Sequence, residues 1–317
     1  MSVPHTTQQR ERQGVLLCML AAAGFAAMAI FAKLAYRAGF DVPSLLLMRF
    51  VIAGAVLWGI VAIRRPARPP LRTVLIAAGL GALGYALQAA TFFASLERID
   101  ASLASLLLYV YPTLVLVGAV LLGRERATRR RVGALALASA GTVLVLLGGG
   151  AVGALDPLGI AFVFAAAASY TVYILVSDRH TAHADPFLLT AMIITAAAVS
   201  VAGWTALRGG PDLAHVAPQG WEAVAGIALV STVVPTAAFL LGMRRVGPAT
   251  ASIVATLEPV ITVALAMVVF GDHLGPLQLL GGAGVIAAVV AVNLRVGSRD
   301  RVAAPVPAAA APARSLA

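Results

Sequence analysis

The sequence predicts an all-α membrane protein with ten transmembrane helices arranged as two inverted five-helix repeats. Three observations predict this fold: an extreme apolar composition, ten long apolar runs and an internal similarity between the two halves. Hydrophobic residues make up 61% of the 317 positions and charged residues 11%, against about 45–50% and about 25% in soluble domains. A single core cannot bury so much apolar surface in water, so the excess must face lipid.

The apolar runs are long enough to cross a bilayer, because about 20 helical residues span a hydrocarbon core of roughly 30 Å. An aspartate precedes four of them (Asp41, Asp100, Asp156 and Asp185), where a carboxylate can accept hydrogen bonds from the first backbone N–H groups of a helix. The predicted spans are 14–36, 43–63, 73–94, 101–122, 131–147, 157–176, 186–206, 221–241, 249–270 and 277–294.

The orientation follows from the positive charges. The two termini and the connections on their side of the membrane carry 18 of the 23 Lys and Arg residues, and the opposite connections carry 3. Since cytoplasmic connections are enriched in Lys and Arg, both termini are predicted to be cytoplasmic. The net charge of +10 is therefore a topology signal, and no nucleic acid is expected as a partner.

The two halves are related by a shift of 147 positions. Aligning 94–125 with 241–272 matches Arg98 with Arg245, Ala104 with Ala251, Ser105 with Ser252, Pro112 with Pro259 and Ala119 with Ala266. Each half has an odd number of spans, so the second half inserts upside down relative to the first. Inverted repeats of this kind are typical of secondary transporters, whose site lies near the bilayer midplane between the repeats.

Short motifs occur in both halves of the chain. They are Met48-Arg49-Phe50, Tyr85-x-x-Gln88, Phe93-Ala94-Ser95-Leu96, Ala104-Ser105-Leu106, Tyr111-Pro112, Leu122-Gly123-Arg124-Glu125, Leu257-Glu258-Pro259-Val260 and Phe270-Gly271-Asp272. Through these motifs the sequence resembles the drug/metabolite transporter superfamily, specifically the EamA-type permeases, over residues 14–294. It departs from the family's pattern at Asp272, where the family commonly has Glu.

The spans, the charges and the composition divide the chain into five segments, and the resemblance implies a function. The segments are a cytoplasmic N-terminal segment (1–13), a first EamA-like five-helix repeat (14–147), a linker (148–156), a second such repeat (157–294) and a disordered cytoplasmic tail (295–317). Known EamA-type permeases export amino acids and other small metabolites, while related branches take up or exchange solutes.

Glu258 is the most informative single residue, because it is an acidic residue deep within a predicted span. A charged side chain at the bilayer centre costs roughly 2.5–3.5 kcal/mol, so it should face a cavity, bind a partner or be protonated. Glu258 is therefore the candidate for proton coupling. The alternative is a structural carboxyl group that caps backbone freed by Pro259.

Other polar and aromatic residues at middle depth are candidates for substrate binding, and three interior prolines are candidates for helix kinks. The alternative for the hydroxyl groups is a bond to their own helix backbone or to a neighbouring helix. The prolines are Pro112, Pro235 and Pro259; the binding candidates, besides Glu258, are Arg49, Tyr85, Gln88, Ser105, Tyr109, Tyr111, Tyr170, Tyr173, Thr232 and Thr236.

These features predict a secondary transporter that works by alternating access, either as a proton antiporter or by facilitated diffusion. The resemblance implies that it exports small metabolites such as amino acids. An uptake permease or exchanger on the same fold is the first alternative; a non-transporting scaffold and a membrane enzyme are others. His180-x-x-His183 is a short pattern that chance readily produces, and neither a catalytic residue, a metal site nor a cofactor is expected. An Arg-rich, Lys-poor composition is typical of a GC-rich genome, which indicates a bacterial source. The predicted location is therefore the plasma (inner) membrane of a bacterium. The protein is predicted to be a monomer or a homodimer.

Overall fold

The computed structural model describes residues 4–123, 129–148, 156–180, 184–246, 251 and 254–293. Throughout these residues every regular element is helical, in agreement with the predicted all-α class. Residues 149–155 of the predicted linker (148–156), the tail at 295–317, and the positions of His183 and Ser252 lie outside the described residues.

The helices of the first half follow the predicted spans closely, except that the first helix begins about ten residues before its apolar run. They are α1 (Pro4–Arg37), α2 (Val42–Arg64), α3 (Leu71–Gly79), α4 (Ala86–Leu96), α5 (Ala101–Leu108), α6 (Tyr111–Leu121) and α7 (Arg129–Gly148). Those of the second half are α8 (Pro157–His180), α9 (Pro186–Leu207), α10 (Pro218–Ala228), α11 (Val234–Val246), α12 (Leu257–Phe270) and α13 (Pro276–Asn293).

Seven helical segments of the described chain are long and apolar enough to cross a membrane. Three shorter apolar helices, Ala136–Val145, Leu257–Phe270 and Pro276–Ala288, overlap the remaining three predicted spans. The seven are Gln9–Arg37, Val42–Arg64, Leu71–Leu96, Ala101–Leu121, Pro157–Ser177, Pro186–Leu207 and Pro218–Val246. Many large apolar side chains on these segments are exposed, Ile63, Leu207 and Val268 by more than four fifths, as a lipid-facing surface requires.

Three of the four predicted capping aspartates cap a helix. Asp41 accepts a hydrogen bond from the Ser44 N–H, Asp156 from the Leu158 N–H and Asp185 from the Phe187 N–H. Asp100 precedes α5 but makes no capping bond. Its carboxylate lies 4.0 Å from the Lys33 ammonium group instead, and this ionic contact competes for the same oxygens.

Two of the long segments contain a π-helical turn that the sequence pattern does not predict. The first, π1 (Leu80–Tyr85), joins α3 to α4, and the second, π2 (Leu229–Val233), joins α10 to α11. A π-turn holds one extra residue, and such turns occur frequently at functional sites.

Two other helices are interrupted just before a proline. The break at Tyr109 and Val110 separates α5 from α6, with Pro112 in the first turn of α6. The second break comes at Thr256, and Pro259 lies in the first turn of α12. A proline lacks the N–H that would continue the helical ladder, so each break falls where that donor is missing.

The helices pack in pairs that join one half to the other: α1 with α11, α2 with α9, α4 with α8, α5 with α12, and α7 with α13. The last pair approaches closely through glycines. A Cβ atom at Gly141 would lie 2.6 Å from the carbonyl oxygen of Gly281, closer than the two helices could tolerate. These contacts bring the interrupted helices together around a central space.

Candidate functional site

The central space is a cavity of about 260 Å³ bounded by residues of both halves. Eight of the eleven predicted binding residues line it. They are Arg49 of α2, Tyr85 of π1, Gln88 of α4, Ser105 of α5, Tyr109 at the first helix break, Tyr111 of α6, Tyr170 of α8 and Glu258 of α12.

Arg49 is buried, with 2% of its surface exposed, and its guanidinium is held by two hydroxyl groups. The Nε–H donates to Thr232 Oγ1 at 3.1 Å, and one Nη donates to the Tyr85 hydroxyl at 3.0 Å. Each acceptor belongs to a π-turn, Tyr85 to π1 and Thr232 to π2. The two π-turns thus supply both polar contacts that fix the arginine at the cavity wall.

Aromatic rings support the same guanidinium. Its Cζ lies 5.1 Å from the ring centre of Phe93 and 5.3 Å from that of Phe50, within the range of a cation–π interaction. Within the part of the chain that the structure describes, no carboxylate oxygen lies within 4.0 Å of Arg49. The positive charge therefore faces the cavity without an ion-pair partner among the described residues.

Five tyrosines form a continuous ladder along the cavity. The ring centres of successive members lie 4.8 to 6.1 Å apart, in the order Tyr85, Tyr173, Tyr170, Tyr111 and Tyr109. Tyr85 binds Arg49 at one end, and Tyr109 lies beside the Glu258 carboxyl group at the other. The ladder gives the cavity an aromatic wall that runs from the basic residue to the acidic one.

Glu258 lies in the first turn of α12, immediately after the helix break. Its side chain is half-buried and faces the cavity. The Tyr109 hydroxyl donates to the backbone carbonyl of Ala255 at 2.6 Å, which satisfies a carbonyl next to the break. The Glu258 carboxyl group lies beside the same Tyr109 hydroxyl and lines the cavity.

Three predicted binding residues do not line the cavity. Thr232 stands behind Arg49 as a hydrogen-bond acceptor, and Tyr173 stands behind Tyr170, with its ring stacked at an interplanar angle of 17°. Thr236 is half-buried on α11 and does not contribute to the lining. Of the three prolines, Pro112 and Pro259 follow the two helix breaks and Pro235 follows π2; none of them lines the cavity.

The apolar lining was not predicted. Bulky side chains, among them Phe25, Phe92, Phe93 and Phe239, line the cavity beside the polar residues, and Ala22, Ala26 and Ala29 of α1 leave room for it. Phenylalanine is as common on lipid-facing surfaces as in a cavity, so no sequence signal separates the two. Thr262, also in the lining, donates to the Glu258 carbonyl at 3.0 Å.

Polar contacts between the halves occur at both ends of the molecule. At the end that holds the 97–100 connection, Asp272 accepts a hydrogen bond from the Ser102 hydroxyl at 3.0 Å, and Arg98 binds Asp156 at 2.9 Å. The Arg98 contact lowers the pKa of the partly exposed Asp156 carboxyl, and hydrogen bonds from the α8 N-terminus lower it further. At the opposite end, Arg64 lies 3.6 Å from Asp185.

A mixed polar and aromatic cavity between the two halves of a helical membrane protein is the kind of site that a secondary transporter needs. The sequence matches the model of the EamA-like transporter family twice, over residues 12–147 and 157–294. The chain therefore belongs to the EamA-like transporter family, of the drug/metabolite transporter type, and is a multi-pass membrane transporter.

Several known proteins are similar along most of the chain. An uncharacterized transporter of Bacillus subtilis, YcbK, is 25% identical over 290 residues, which cover 89% of this chain and 93% of that protein. An uncharacterized inner membrane transporter of Escherichia coli, YedA, is 26% identical over 248 residues, or 78% and 80% of the two chains.

The threonine/homoserine exporter RhtA of Escherichia coli is 28% identical over 149 residues, or 46% of this chain and 49% of that protein. A solved structure titled "Crystal structure of protein" superposes with a TM-score of 0.63 at 20% identity, covering 92% of this chain and 99% of the other. This last likeness concerns the fold alone.

Proposed function

We propose that the protein is a secondary transporter of the bacterial plasma membrane that exports small metabolites such as amino acids by alternating access. The observation that carries this proposal is the cavity between the two halves, with Arg49 on one side and Glu258 on another. A volume of about 260 Å³ lies below the roughly 300–1,000 Å³ of sites for drug-sized ligands, so a small solute fits best.

The proposed architecture is ten spans in two inverted repeats, over 14–147 and 157–294, with both termini in the cytoplasm. The packing supports a two-fold relation, because α1 packs on α11 while α8, the corresponding first helix of the second half, packs on α4. The interruptions support it too. The break at Tyr109 precedes the break at Thr256 by the same 147 positions that align the sequences, and π1 and π2 begin 149 positions apart, at Leu80 and Leu229.

Interrupted helices give such a protein its means of movement. Where a helix is broken, the backbone ladder loses a bond and the two parts can change their angle at little cost. The breaks before Pro112 and Pro259 and the π-turn before Pro235 all lie near the cavity. We propose that the two halves rock about these interruptions, so that the cavity opens to one side of the membrane at a time.

Glu258 is the proposed proton site. It lines the cavity as its acidic member, so protonation there and substrate binding would act on the same space. Entry of a proton from outside would then drive release of substrate outward, whereas a protein without this coupling would carry out facilitated diffusion.

Export rather than uptake is favoured by one similarity, to the threonine/homoserine exporter RhtA over about half of each chain. Uptake or exchange on the same fold is the second candidate. The transporters among the similar proteins argue against a scaffold or an enzyme. Whether the working unit is a monomer or a homodimer is left open, and the close α7–α13 contact through Gly141 is made within one chain.

Counterflow in liposomes tests the transport proposal. Liposomes that contain the purified protein are preloaded with unlabelled amino acids and diluted into a mixed pool of labelled ones; faster labelling than in protein-free liposomes supports it. An imposed pH gradient should accelerate uptake by the wild type and not by Glu258→Gln. Glu222→Gln, which neutralises an exposed acidic residue of α10, is the matched control and should retain the response.

An experiment in bacterial cells tests the direction of transport. Bacteria fed a dipeptide accumulate its amino acids inside, and an exporter makes these appear faster in the medium. If cells that contain the protein instead retain more of a labelled amino acid added outside, export is wrong and uptake is supported. If no solute of the pool exchanges in liposomes, the amino acid proposal fails.

A further inference from the structure

The buried guanidinium of Arg49 has two neutral hydrogen-bond partners and lacks a negatively charged partner among the described residues. A charge in the middle of a membrane protein is costly unless it is paired, solvated or hydrogen-bonded. Here two neutral hydroxyls and two aromatic rings contact the cation. Among the described residues the guanidinium has no carboxylate within 4.0 Å, although Glu258 lines the same cavity.

The geometry leaves donors available to a solute. A guanidinium has five N–H bonds, and the two hydroxyls take one at Nε and one at an Nη. Arg49 also lines the cavity, and its other N–H groups have no hydrogen-bond acceptor among the described residues. Arginine binds a carboxylate through two parallel hydrogen bonds, and such bonds are roughly twice as strong as neutral ones.

The charged residues of the lining restrict the class of ligand further. Among the described residues that line the cavity, Arg49 is the one basic side chain and Glu258 the one acidic side chain. A dianion such as a phosphate monoester would bring two negative charges to one cation, with Glu258 nearby to repel it. A solute with one carboxylate and one ammonium group matches both wall charges and keeps the cavity neutral.

The uncharged residues of the lining indicate the chemistry of the uncharged part of the solute. Between the two charged residues the wall is aromatic, with Tyr109, Tyr111 and Tyr170 on one side and Phe92 and Phe239 elsewhere in the lining. Aromatic rings bind apolar groups over a large contact area and offer few hydrogen bonds. Gln88, Ser105 and Thr262 also line the cavity, so a side chain with one polar group can find a partner. A side chain rich in polar groups would leave some of them unpaired, which is costly.

We infer that Arg49 forms the carboxylate subsite of this transporter, and that its substrate is a small monocarboxylate zwitterion with an apolar or aromatic remainder. The inference rests on the proposed transport function and adds the class of substrate to it. The carboxylate binds the free N–H groups of Arg49, the ammonium group lies towards Glu258, and the apolar part contacts the tyrosine ladder. Dicarboxylates and amines that lack a carboxylate are poor ligands.

Binding to the purified wild-type protein tests this directly. Thermal unfolding in detergent is followed while three acid–amide pairs are titrated: phenylalanine and phenylalaninamide, leucine and leucinamide, threonine and threoninamide. For at least one pair the acid should bind about tenfold or more tightly than the amide, the scale expected for a hydrogen-bonded charge. Glutamate should bind more weakly than leucine, because its second carboxylate approaches Glu258.

Variants then assign the preference to Arg49. In Arg49→Gln the acid-to-amide ratio should fall to near one, and in Arg49→Lys it should be intermediate, because lysine keeps the charge and loses the planar pair of donors. Arg64→Gln is the matched control, since Arg64 is a partly exposed arginine of the same helix that lies outside the cavity lining, and it should keep the wild-type ratio. The wild-type comparison needs no variant and decides the carboxylate question even if Arg49→Gln does not fold.

The possible outcomes separate this inference from the transport proposal. Acids that bind no better than their amides, or an acid preference that survives in Arg49→Gln, overturn the carboxylate subsite. Counterflow of solutes that lack a carboxylate, at rates equal to the acids, also overturns it while transport stands. Acid-selective binding without counterflow of any acid would support the subsite and contradict transport.

Discussion

The guanidinium of Arg49 and the hydroxyl of Thr232 form a hydrogen bond of 3.1 Å between residues 183 positions apart. It joins α2 of the first half to the π-turn of the second. Thr232 Oγ1 in turn donates to the carbonyl of Ile227 at 2.8 Å, five residues earlier, which is the spacing of a π-turn. The arginine, the threonine and the irregular turn are therefore one unit.

Thr232→Val should destabilise the protein, because it leaves a charged, buried donor without its acceptor. Valine has the same shape, so packing is preserved and the loss is about 1–3 kcal/mol, as for other buried unsatisfied groups. Thermal unfolding in detergent measures it. Thr236→Val, one helical turn further along, is the control and should change the melting temperature little; equal effects of the two variants would contradict the special place of Thr232.

Tyr109→Phe should weaken the contact between the two helix breaks. The Tyr109 hydroxyl donates to Ala255 at 2.6 Å, and its loss leaves that carbonyl without this donor, at a cost of about 0.5–1.5 kcal/mol. Tyr173→Phe removes the hydroxyl of another ring of the ladder, which is stacked on Tyr170. We expect a clear fall in melting temperature for the first variant and a smaller one for the second, and the reverse order would refute the assignment.

Gly281→Ala should separate α7 from α13. A Cβ atom at this position would overlap the carbonyl oxygen of Gly141 and lie 2.7 Å from the backbone nitrogen of Val145, and overpacking of this kind costs typically about 1–3 kcal/mol. Gly133→Ala, on the same α7 helix, has open space around its Cβ position. It should be neutral or stabilising, since alanine favours helix over glycine by about 0.5–1 kcal/mol. Unfolding temperatures of the two variants test both expectations.

The lowered pKa of the Asp156 carboxyl group predicts that the stability of the protein depends on pH. The Arg98 hydrogen bond and those from the α8 N-terminus lower the pKa of its carboxyl in the folded protein. A depressed folded-state pKa contributes stability that is present above the ordinary aspartate pKa, about 3.9, and is lost as the pH falls through the folded value. Asp156→Ala should therefore lower the melting temperature at pH 7 and have a smaller effect near pH 3.

A parallel comparison identifies the source of that dependence. Asp212→Ala removes an exposed carboxylate from the connection between α9 and α10 and should show little change between the two pH values. If both variants lose the same stability at each pH, the Arg98–Asp156 contact does not carry the effect.

The membrane class and the helix positions could be predicted because they depend on local properties. A run of apolar residues partitions into lipid whatever surrounds it, and Asp41 or Asp185 caps a helix through bonds to the next two or three residues. The π-turns could not be predicted, because glycine-containing segments such as 80–85 have no apolar period that differs from a regular helix. The apolar cavity lining was missed for a related reason: Phe239 in a cavity and a lipid-facing phenylalanine look alike in sequence.

By itself the sequence determined that this is a helical membrane protein and which polar residues lie within its spans, because transfer of each segment from water to lipid depends on that segment's own composition. Its motifs added the transporter family. The tertiary structure decided which of these residues meet. Thr232 and Thr236 are equivalent by composition, and a regular helix would present both on one face. A π-turn inserts one extra residue and rotates the face that follows it, so Thr232 reaches Arg49 while Thr236 stays outside the cavity lining. Which polar residues meet at one site depends on contacts between residues far apart in the sequence, and a local sequence pattern does not specify those contacts.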